Sequence, residues 1–359
     1  MTKGNRGSLL SSSPALTAHV DTTNTTPSVL TRYISEIAHY LRANALPVSS
    51  LAGTMTSYHM GWIDAQGRGS DSSTGKLVRP SLCLWACEAA GGDATLALPV
   101  AAALEWTHNF TLVHDDIQDG DRMRRHRETV WAIWGAPQGI NAGDALHALA
   151  MRSLTGPGPY PERQLRAARI IAEATLITVE GQCLDLQMEG RPESSLRAYL
   201  RVVGFKTGAL LGASLQAGAV MAGASEETAR RFRKAGELLG KAFQIRDDWL
   251  GVWGDTAATG KSSEGDVTRR KLTFPIVAAF SVMKPGQRER LRKLFGSGMR
   301  QAGRQIRGLL EAAGGPQLTE SAPQHYAARA IREVKHAELA PGRVAEFVEV
   351  AEYVAKRVR

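Results

Sequence analysis

Four aspartates crowd the stretch from Asp115 to Asp121 (Asp115, Asp116, Asp119 and Asp121), and Arg122, Arg124 and Arg125 follow at once. No Gly or Pro interrupts Thr107 to Gln118, and Leu104, Phe110, Leu112 and Val113 lead in, so the spacing predicts a buried helix. Residues four apart share a helix face, which sets Asp115 and Asp119 together with Asp116 beside them. Like charges so placed repel, and burying them is costly unless a cation binds. Carboxylate donors suit a hard cation such as Mg²⁺, which keeps several waters and bridges to phosphate oxygens. The arginines fit a multiply charged phosphate, because guanidinium meets such oxygens two at a time. A lone Asp-Asp-x-x-Asp is more often a solvated helix end than a metal site. The rest of the chain decides between the two.

A second carboxylate pair, Asp247 and Asp248, follows Leu238, Leu239, Ala242, Phe243, Gln244 and Ile245 on another apolar helix. Two acidic clusters on separate helices can face each other across a cavity and hold several cations between them. Cations there would bridge a diphosphate and stabilise it as a leaving group. Lys206 and Thr207 interrupt a helix otherwise made of Gly, Ala and Leu, where an anionic partner explains the lysine better than snorkelling to water. Lys261 opens a polar loop whose N–H groups and ammonium can close over a phosphate, although a Gly-Lys pair alone reads as a turn. His108, by itself, is as readily an ordinary core histidine.

These helices must come from a chain of 359 residues with 43% hydrophobic content, few aromatics and abundant Ala, Leu and Gly. That balance favours packed helices. Residues 1–27 are Ser/Thr-rich without a period and are expected to be a disordered tail, with one domain over 28–359. Helical spacing runs through Val29 to Leu46, Ser81 to Ala90, Leu96 to Gln118, Asp144 to Leu154, Gln164 to Glu189, Ser195 to Ala222, Glu226 to Trp249 and Gly342 to Arg359. Gly204, Gly208, Gly212 and Gly218 on helical faces imply close helix approach. No alternating strand pattern and no fixed repeat appear, so the expected class is all-α, a single bundle of ten or more helices.

The net charge of +9 admits nucleic acid, an anionic membrane surface or anionic small molecules as partners. A basic nucleic-acid binder would not need buried aspartates, so no nucleic-acid partner is expected. The longest apolar run, Ala209 to Gly223, is too short and mixed for a membrane span. Cys83, Cys87 and Cys183 are odd in number and lack paired spacing; Cys83 and Cys87 read as small core residues, and a reducing cytoplasmic setting is expected.

Taken together, these motifs resemble the trans-isoprenyl diphosphate synthases, the polyprenyl synthetase family, from about Gly75 to Pro275. Gly75-Lys76-Leu77-Val78-Arg79-Pro80, Glu105-Trp106-Thr107-His108, Asp115-Asp116-x-x-Asp119, Arg124-Arg125, Asn141-x-x-Asp144, Gly181-Gln182, Lys206-Thr207, Phe243-Gln244 with Asp247-Asp248, and Gly260-Lys261 through Lys271 to Pro275 arrive in the family's order. The resemblance implies an isoprenoid synthase fold around a central cavity, Mg²⁺ as cofactor and a homodimer. It implies that Asp115, Asp119 and Asp247 ligate the metal ions on an allylic diphosphate, with Asp116 and Asp248 acting through bound water. Arg124, Lys206 and Lys261 would hold that diphosphate, while Lys76, Arg79, His108 and Arg125 would hold isopentenyl diphosphate. Thr207 and Gln244 would line the reacting end.

Two departures stand out. Gly251 occupies the place of the second motif's usual third aspartate, with Asp255 one turn beyond, and Gly251 and Gly254 weaken the expectation that the helix continues. The usual Gly-x-Pro-Thr after the arginines is replaced by His126-Arg127-Glu128-Thr129. Large Phe110 and small Thr111 before a short first motif resemble geranylgeranyl diphosphate synthases, with Phe110 more than one turn below Asp115 as the stop for chain growth. A farnesyl diphosphate synthase is the alternative on that point. A terpene cyclase would not need Lys76, Arg79 and His108, and a silent partner subunit would be expected to have lost the first motif.

Overall fold

The computed structural model describes residues 25–70, 75–254, 271–297 and 302–357. Lys261, Asp255 and most of the expected N-terminal tail lie outside them. The described residues form helices α1 (Ile34–Ala43), α2 (Leu51–His59), α3 (Val78–Ala89), α4 (Leu98–Gln118), α5 (Val130–Trp134), α6 (Ala136–Thr155), α7 (Pro161–Met188), α8 (Leu196–Val203), α9 (Ala209–Ala222) and α10 (Glu226–Trp253). Then come α11 (Phe274–Val282), α12 (Pro285–Ser297), α13 (Ala302–Ala312), α14 (Gly315–Glu320), α15 (Ala322–Lys335) and α16 (Pro341–Lys356). The all-α expectation holds, with one exception. Strands β1 (Met123–Arg124) and β2 (Arg127–Glu128) pair antiparallel. Their two-residue turn is Arg125-His126, at φ 50° and 63°. Both residues of such a turn need positive φ, and the absence of Gly or Asn hides it from the sequence.

Helix α4 is the axis. Val100 to Leu104 and Trp106 are all buried on it, because α3, α6 and α9 cover it from different sides. A helix apolar on every face belongs inside a bundle. Trp85 of α3 stacks on Phe347 of α16 at 5.4 Å, and its indole N–H donates to Glu346 at 2.9 Å, so its one polar atom is satisfied. Cys83 and Cys87 are buried and unbridged in this core, as expected. A second apolar cluster joins α8 and α10 to α11, α12 and α13 through Ile245, Val252, Phe274, Ile276, Leu291 and Phe295.

The expected glycine contacts are present. A Cβ on Gly218 of α9 would fall 2.1 Å from the Cys83 carbonyl oxygen, so only Gly lets α9 approach α3 this closely. The expected continuous helix from Ser195 to Ala222 is broken: Gly204–Gly208 winds as a π turn between α8 and α9. Such bulges turn side chains out of the α-helical register, and this one carries Lys206 and Thr207. At the other end of the site α10 runs through Gly251 to Trp253, so the helix continues where the sequence left it in doubt. Packing beneath Leu250 and Val252, both buried, outweighs the glycine's cost.

Candidate active site

Asp115 and Asp116 sit in the last turn of α4, and Asp119 caps it. Each carboxylate meets a cation. Asp116 accepts from Arg124 Nε of β1 at 2.8 Å, Asp119 pairs with Lys271 Nζ at 3.2 Å, and Asp115 lies 3.7 Å from Lys206 Nζ. Burial pushes the Asp116 carboxyl up to about 6 against the pull of Arg124. Burial likewise raises Asp115, with Lys206 opposing it and Asp119 adding to it. Asp115 and Asp119 therefore feel each other, as their shared face predicted.

Lys206 also bonds to Asp185 of α7 at 2.9 Å. Gly181, one turn before Asp185, makes this possible: a Cβ there would stand 2.5 Å from the Lys206 backbone nitrogen. Beside it Gln182 donates to Gln118 of α4 at 2.8 Å. The π turn continues the network, since Thr207 Oγ1 lies 3.1 Å from Gln244 Oε1 and Gln244 Nε2 donates to Asp248 at 2.9 Å. Asp248 further accepts from the Tyr199 hydroxyl and, at 2.8 Å, from the backbone N–H of Phe274. It is buried and fastens α8 and the start of α11 to α10. Asp247, 41% exposed, faces outward to the open side and pairs with Arg357 just past α16.

The second group of predicted residues gathers further back along α4, around Glu105 and His108. Gly75, at φ 95°, lies so close to Arg125 that a Cβ would meet the guanidinium at 2.9 Å, which brings the Gly75–Pro80 motif and the paired arginines together. Arg79 Nε is buried without a hydrogen-bond partner, and burial pushes this guanidinium down to about 10 although Glu105 opposes the shift. Lys76 is exposed at the same loop. Buried Glu105 is held by Asn109 Nδ2 at 2.8 Å. Burial raises its carboxyl, while Asn109, Arg79 and Arg125 lower it. Burial first, then Arg79, Arg125 and Arg124, push the His108 imidazole well below its usual range. His59 is pushed down to about 3 by burial, Arg125 and Arg124. Arg124 and Arg125, which act on both, make a field suited to an anion.

The replaced Gly-x-Pro-Thr segment has a structural account. Arg127 lies over the Tyr58 ring at 4.1 Å and donates to the carbonyls of Tyr58 and Ile63, and the Tyr58 hydroxyl donates to Glu128 O at 2.8 Å. These contacts pin the hairpin to the end of α2. Between them lies a cavity of about 70 Å³ lined by Tyr58, His59, Asp116, Arg124, Arg125 and Arg127 among others.

Phe110 points from α4 toward α6. Its ring stands 5.1 Å from His147 and 5.3 Å from His114, and His147 Nδ1 is buried without a hydrogen-bond partner. Thr111 turns its hydroxyl back to the His108 carbonyl at 2.8 Å, leaving only a methyl outward.

Among the described residues, no three His, Cys, Asp or Glu side chains come close enough to hold one ion. The donors still fit a hard cation. They are carboxylate oxygens taken one or two at a time, and Mg²⁺ completes such shells with water and phosphate oxygens. Lys206, Lys271 and Arg357 supply positive charge at the carboxylates such cations would meet.

The sequence motifs include Glu105 and Lys271 without a role for either, and Asp185, Tyr199 and Arg357 were missed. The signal for Asp185 was available in Gly181, four residues before it on the same face, and the signal for Glu105 in His108 three residues later. Nothing local marks Arg357.

An all-α bundle with two carboxylate motifs on separate helices, Lys206 on the first and the Thr207–Gln244 pair leading to the second, has the isoprenoid synthase fold. The chain belongs to the polyprenyl synthetase family, whose family model matches residues 62–312. It is 45% identical over 228 residues to the geranylgeranyl diphosphate synthase of Mycobacterium tuberculosis, 64% of this chain, and 43% identical over 223 residues to that organism's (2E,6E)-farnesyl diphosphate synthase, 62% of this chain. These matches span 65% and 61% of those relatives' own lengths. The crystal structure of a polyprenyl synthetase from Streptomyces coelicolor superposes with TM-score 0.84 at 36% identity, covering 91% of this chain and 98% of that one. A polyprenyl synthase from Caulobacter crescentus, complexed with calcium and isoprenyl diphosphate, superposes with TM-score 0.81 at 27% identity, covering 94% and 100%.

Proposed function

We propose that the protein is a Mg²⁺-dependent trans-prenyltransferase. It condenses isopentenyl diphosphate with an allylic diphosphate, extends the chain by one isoprene unit and releases pyrophosphate. The observation that carries this reading is the pair of charged groups that meet along α4. Asp115, Asp119 and Lys206 gather at its end, and Arg79 and Arg125 surround Glu105 and His108 further back. Such a site suits two anions of different kind, one bridged by metal and one held by the basic residues.

At the first group Asp115, Asp119 and Asp247 would hold the metal, with Asp116 tied to Arg124 and Asp248 to Tyr199 and Phe274 behind them. Bound Mg²⁺ supplies the charge that makes a diphosphate a good leaving group. Lys206, Arg124 and Lys261 hold the same diphosphate. Thr207 and Gln244 border the reacting carbons, and the apolar wall of α4 keeps water from a carbocation. At the second group Lys76, Arg79, His108 and Arg125 hold isopentenyl diphosphate.

Phe110 over His147 favours geranylgeranyl diphosphate as product, because an aromatic floor below the first motif limits growth. We assign residues 28–359 to one synthase domain in the cytoplasm. Among the described residues no helix is long and apolar enough to cross a membrane. The exposed apolar stripe of α7 supports a homodimer: Leu165 and Leu176 are 73% and 71% exposed, and Val179 and Leu186 continue the stripe at heptad spacing. An apolar seam of that period is self-complementary to a second copy.

Product analysis tests the reading. Purified protein receives Mg²⁺, isopentenyl diphosphate and each allylic primer in turn, and the dephosphorylated alcohols are separated by chromatography. A twenty-carbon alcohol is expected. A fifteen-carbon alcohol would keep the synthase and discard geranylgeranyl diphosphate as its product, a reading to which the 43% identity with a farnesyl diphosphate synthase gives weight. No elongation, with geranylgeranyl diphosphate converted to a hydrocarbon, would replace the synthase by a cyclase.

A further inference from the structure

Arg357 is near the C-terminal end of the chain, yet it lies on the second aspartate motif. Helix α16 stops at Lys356, and Arg357 takes extended backbone angles (φ −52°, ψ 148°) that turn it back toward α10. Four contacts seat it on α10. Its guanidinium donates to Asp247 and, at 3.5 Å, to the Phe243 carbonyl, it stacks on the Phe243 ring at 3.9 Å, and its carbonyl accepts from Arg246 Nε at 2.7 Å. Phe243, Arg246 and Asp247 are three and four residues apart, so one face of α10 makes the whole seat.

The two partners are unequal. The Arg357 side chain is 6% exposed, while Asp247 is 41% exposed. A guanidinium has therefore been taken out of water to neutralise a carboxylate that solvent still reaches. The Arg124–Asp116 pair is different, because there the carboxylate is the buried member, at 2%.

We propose that Arg357 is the resident counter-ion of Asp247 and that a divalent cation must displace it. Cation loading at the second cluster and docking of the C-terminal segment then oppose each other. This rests on the reading of Asp247 as a metal ligand. A guanidinium and a dication on one carboxylate repel, and the displaced arginine regains its hydration. The coupling is reciprocal: whatever factor Arg357 costs the cation, the cation costs the docked segment. The exposed side of Asp247 gives the cation its approach, and α16 ends one residue before Arg357, so only its last turns need loosen as the arginine leaves.

The test uses the full chain and Mg²⁺ alone, without substrate. Calorimetric titration should show that Arg357→Gln binds Mg²⁺ about tenfold more tightly than the unaltered protein, within the usual range of coupling. Arg357→Lys, which keeps the charge but not the planar contact with Phe243, should fall between. Hydrogen exchange on the unaltered protein needs no variant: amides of residues 350–357 should exchange faster once Mg²⁺ is present. Equal or weaker Mg²⁺ binding by Arg357→Gln overturns the proposal, as does protection of 350–357 that Mg²⁺ leaves unchanged or increases. If neither protein binds Mg²⁺, the metal reading of the aspartates falls and takes the proposal with it. If both bind it equally, only the counter-ion proposal falls.

Discussion

Replacing Phe110 by Ala tests whether the ring between α4 and α6 ends chain growth. Phe110 precedes Asp115 by five residues, which places it about 7.5 Å deeper along the helix at a rise of about 1.5 Å per residue. Its ring fills the space before His147 at 5.1 Å. The substitution removes roughly six carbons from a site packed near interior density, and one isoprene unit brings about five. The opened space therefore takes about one further unit, and the dominant alcohol should lengthen by five carbons. Removing His147 as well, which lies behind the ring, should allow growth beyond that. The assay is the chromatography of dephosphorylated products at fixed primer and excess isopentenyl diphosphate. Phe110 is only partly buried, so the fold should survive; a thermal melt of each variant separates lost growth from lost protein. An unchanged product distribution from a folded, active Phe110→Ala protein would refute the floor, whichever alcohol the unaltered protein makes.

Two other expectations concern the frame of the site. A methyl added at Gly181 would lie 2.5 Å from the Lys206 nitrogen, so Gly181→Ala must push the π turn away from α7. We expect a loss of about 1–3 kcal/mol in urea unfolding, with a fall in turnover larger than stability explains; full activity would mean that the π turn tolerates displacement. His59, pushed down to about 3, binds its proton far more readily in the unfolded chain, near the ordinary value of about 6.5. Its contribution is therefore complete above about pH 6.5 and is lost as pH falls toward 3, by up to about 1.4 kcal/mol per pH unit. Comparing unfolding at pH 7.5 and 5.5, the stability of His59→Gln relative to the unaltered protein should improve at the lower pH. A gap that stays constant would place the burial of His59 in doubt.

How far the sequence discloses this site depends on the distance over which each constraint acts. The period of apolar residues gives the helices, because burial of one face is a local pattern. The aspartate pairs are equally legible, because their cost when buried is a property of residue type. What escaped notice depends on neighbours far along the chain. The hairpin after the first motif places Arg125 and His126 at positive φ, a conformation that Arg127 helps fix from outside by locking onto Tyr58, and no residue within the turn announces it. The π turn looks like any helix until Gly181 and Gly208 are seen to admit α7 and α10 on its two sides. Arg357 finds Asp247 across 110 residues. In each case the sequence names the charged group and the packing of remote helices decides what it meets. Lys206 makes the point most fully. Its isolation in an apolar helix marks it as an anion binder, yet it stands between Asp115 and Asp185, which hold it in the cleft from two different helices. A lysine already neutralised in this way cannot act as a simple anchor. It can turn toward a diphosphate only as cations take over its carboxylates, so bound metal should tighten diphosphate binding here and bound diphosphate should tighten metal binding.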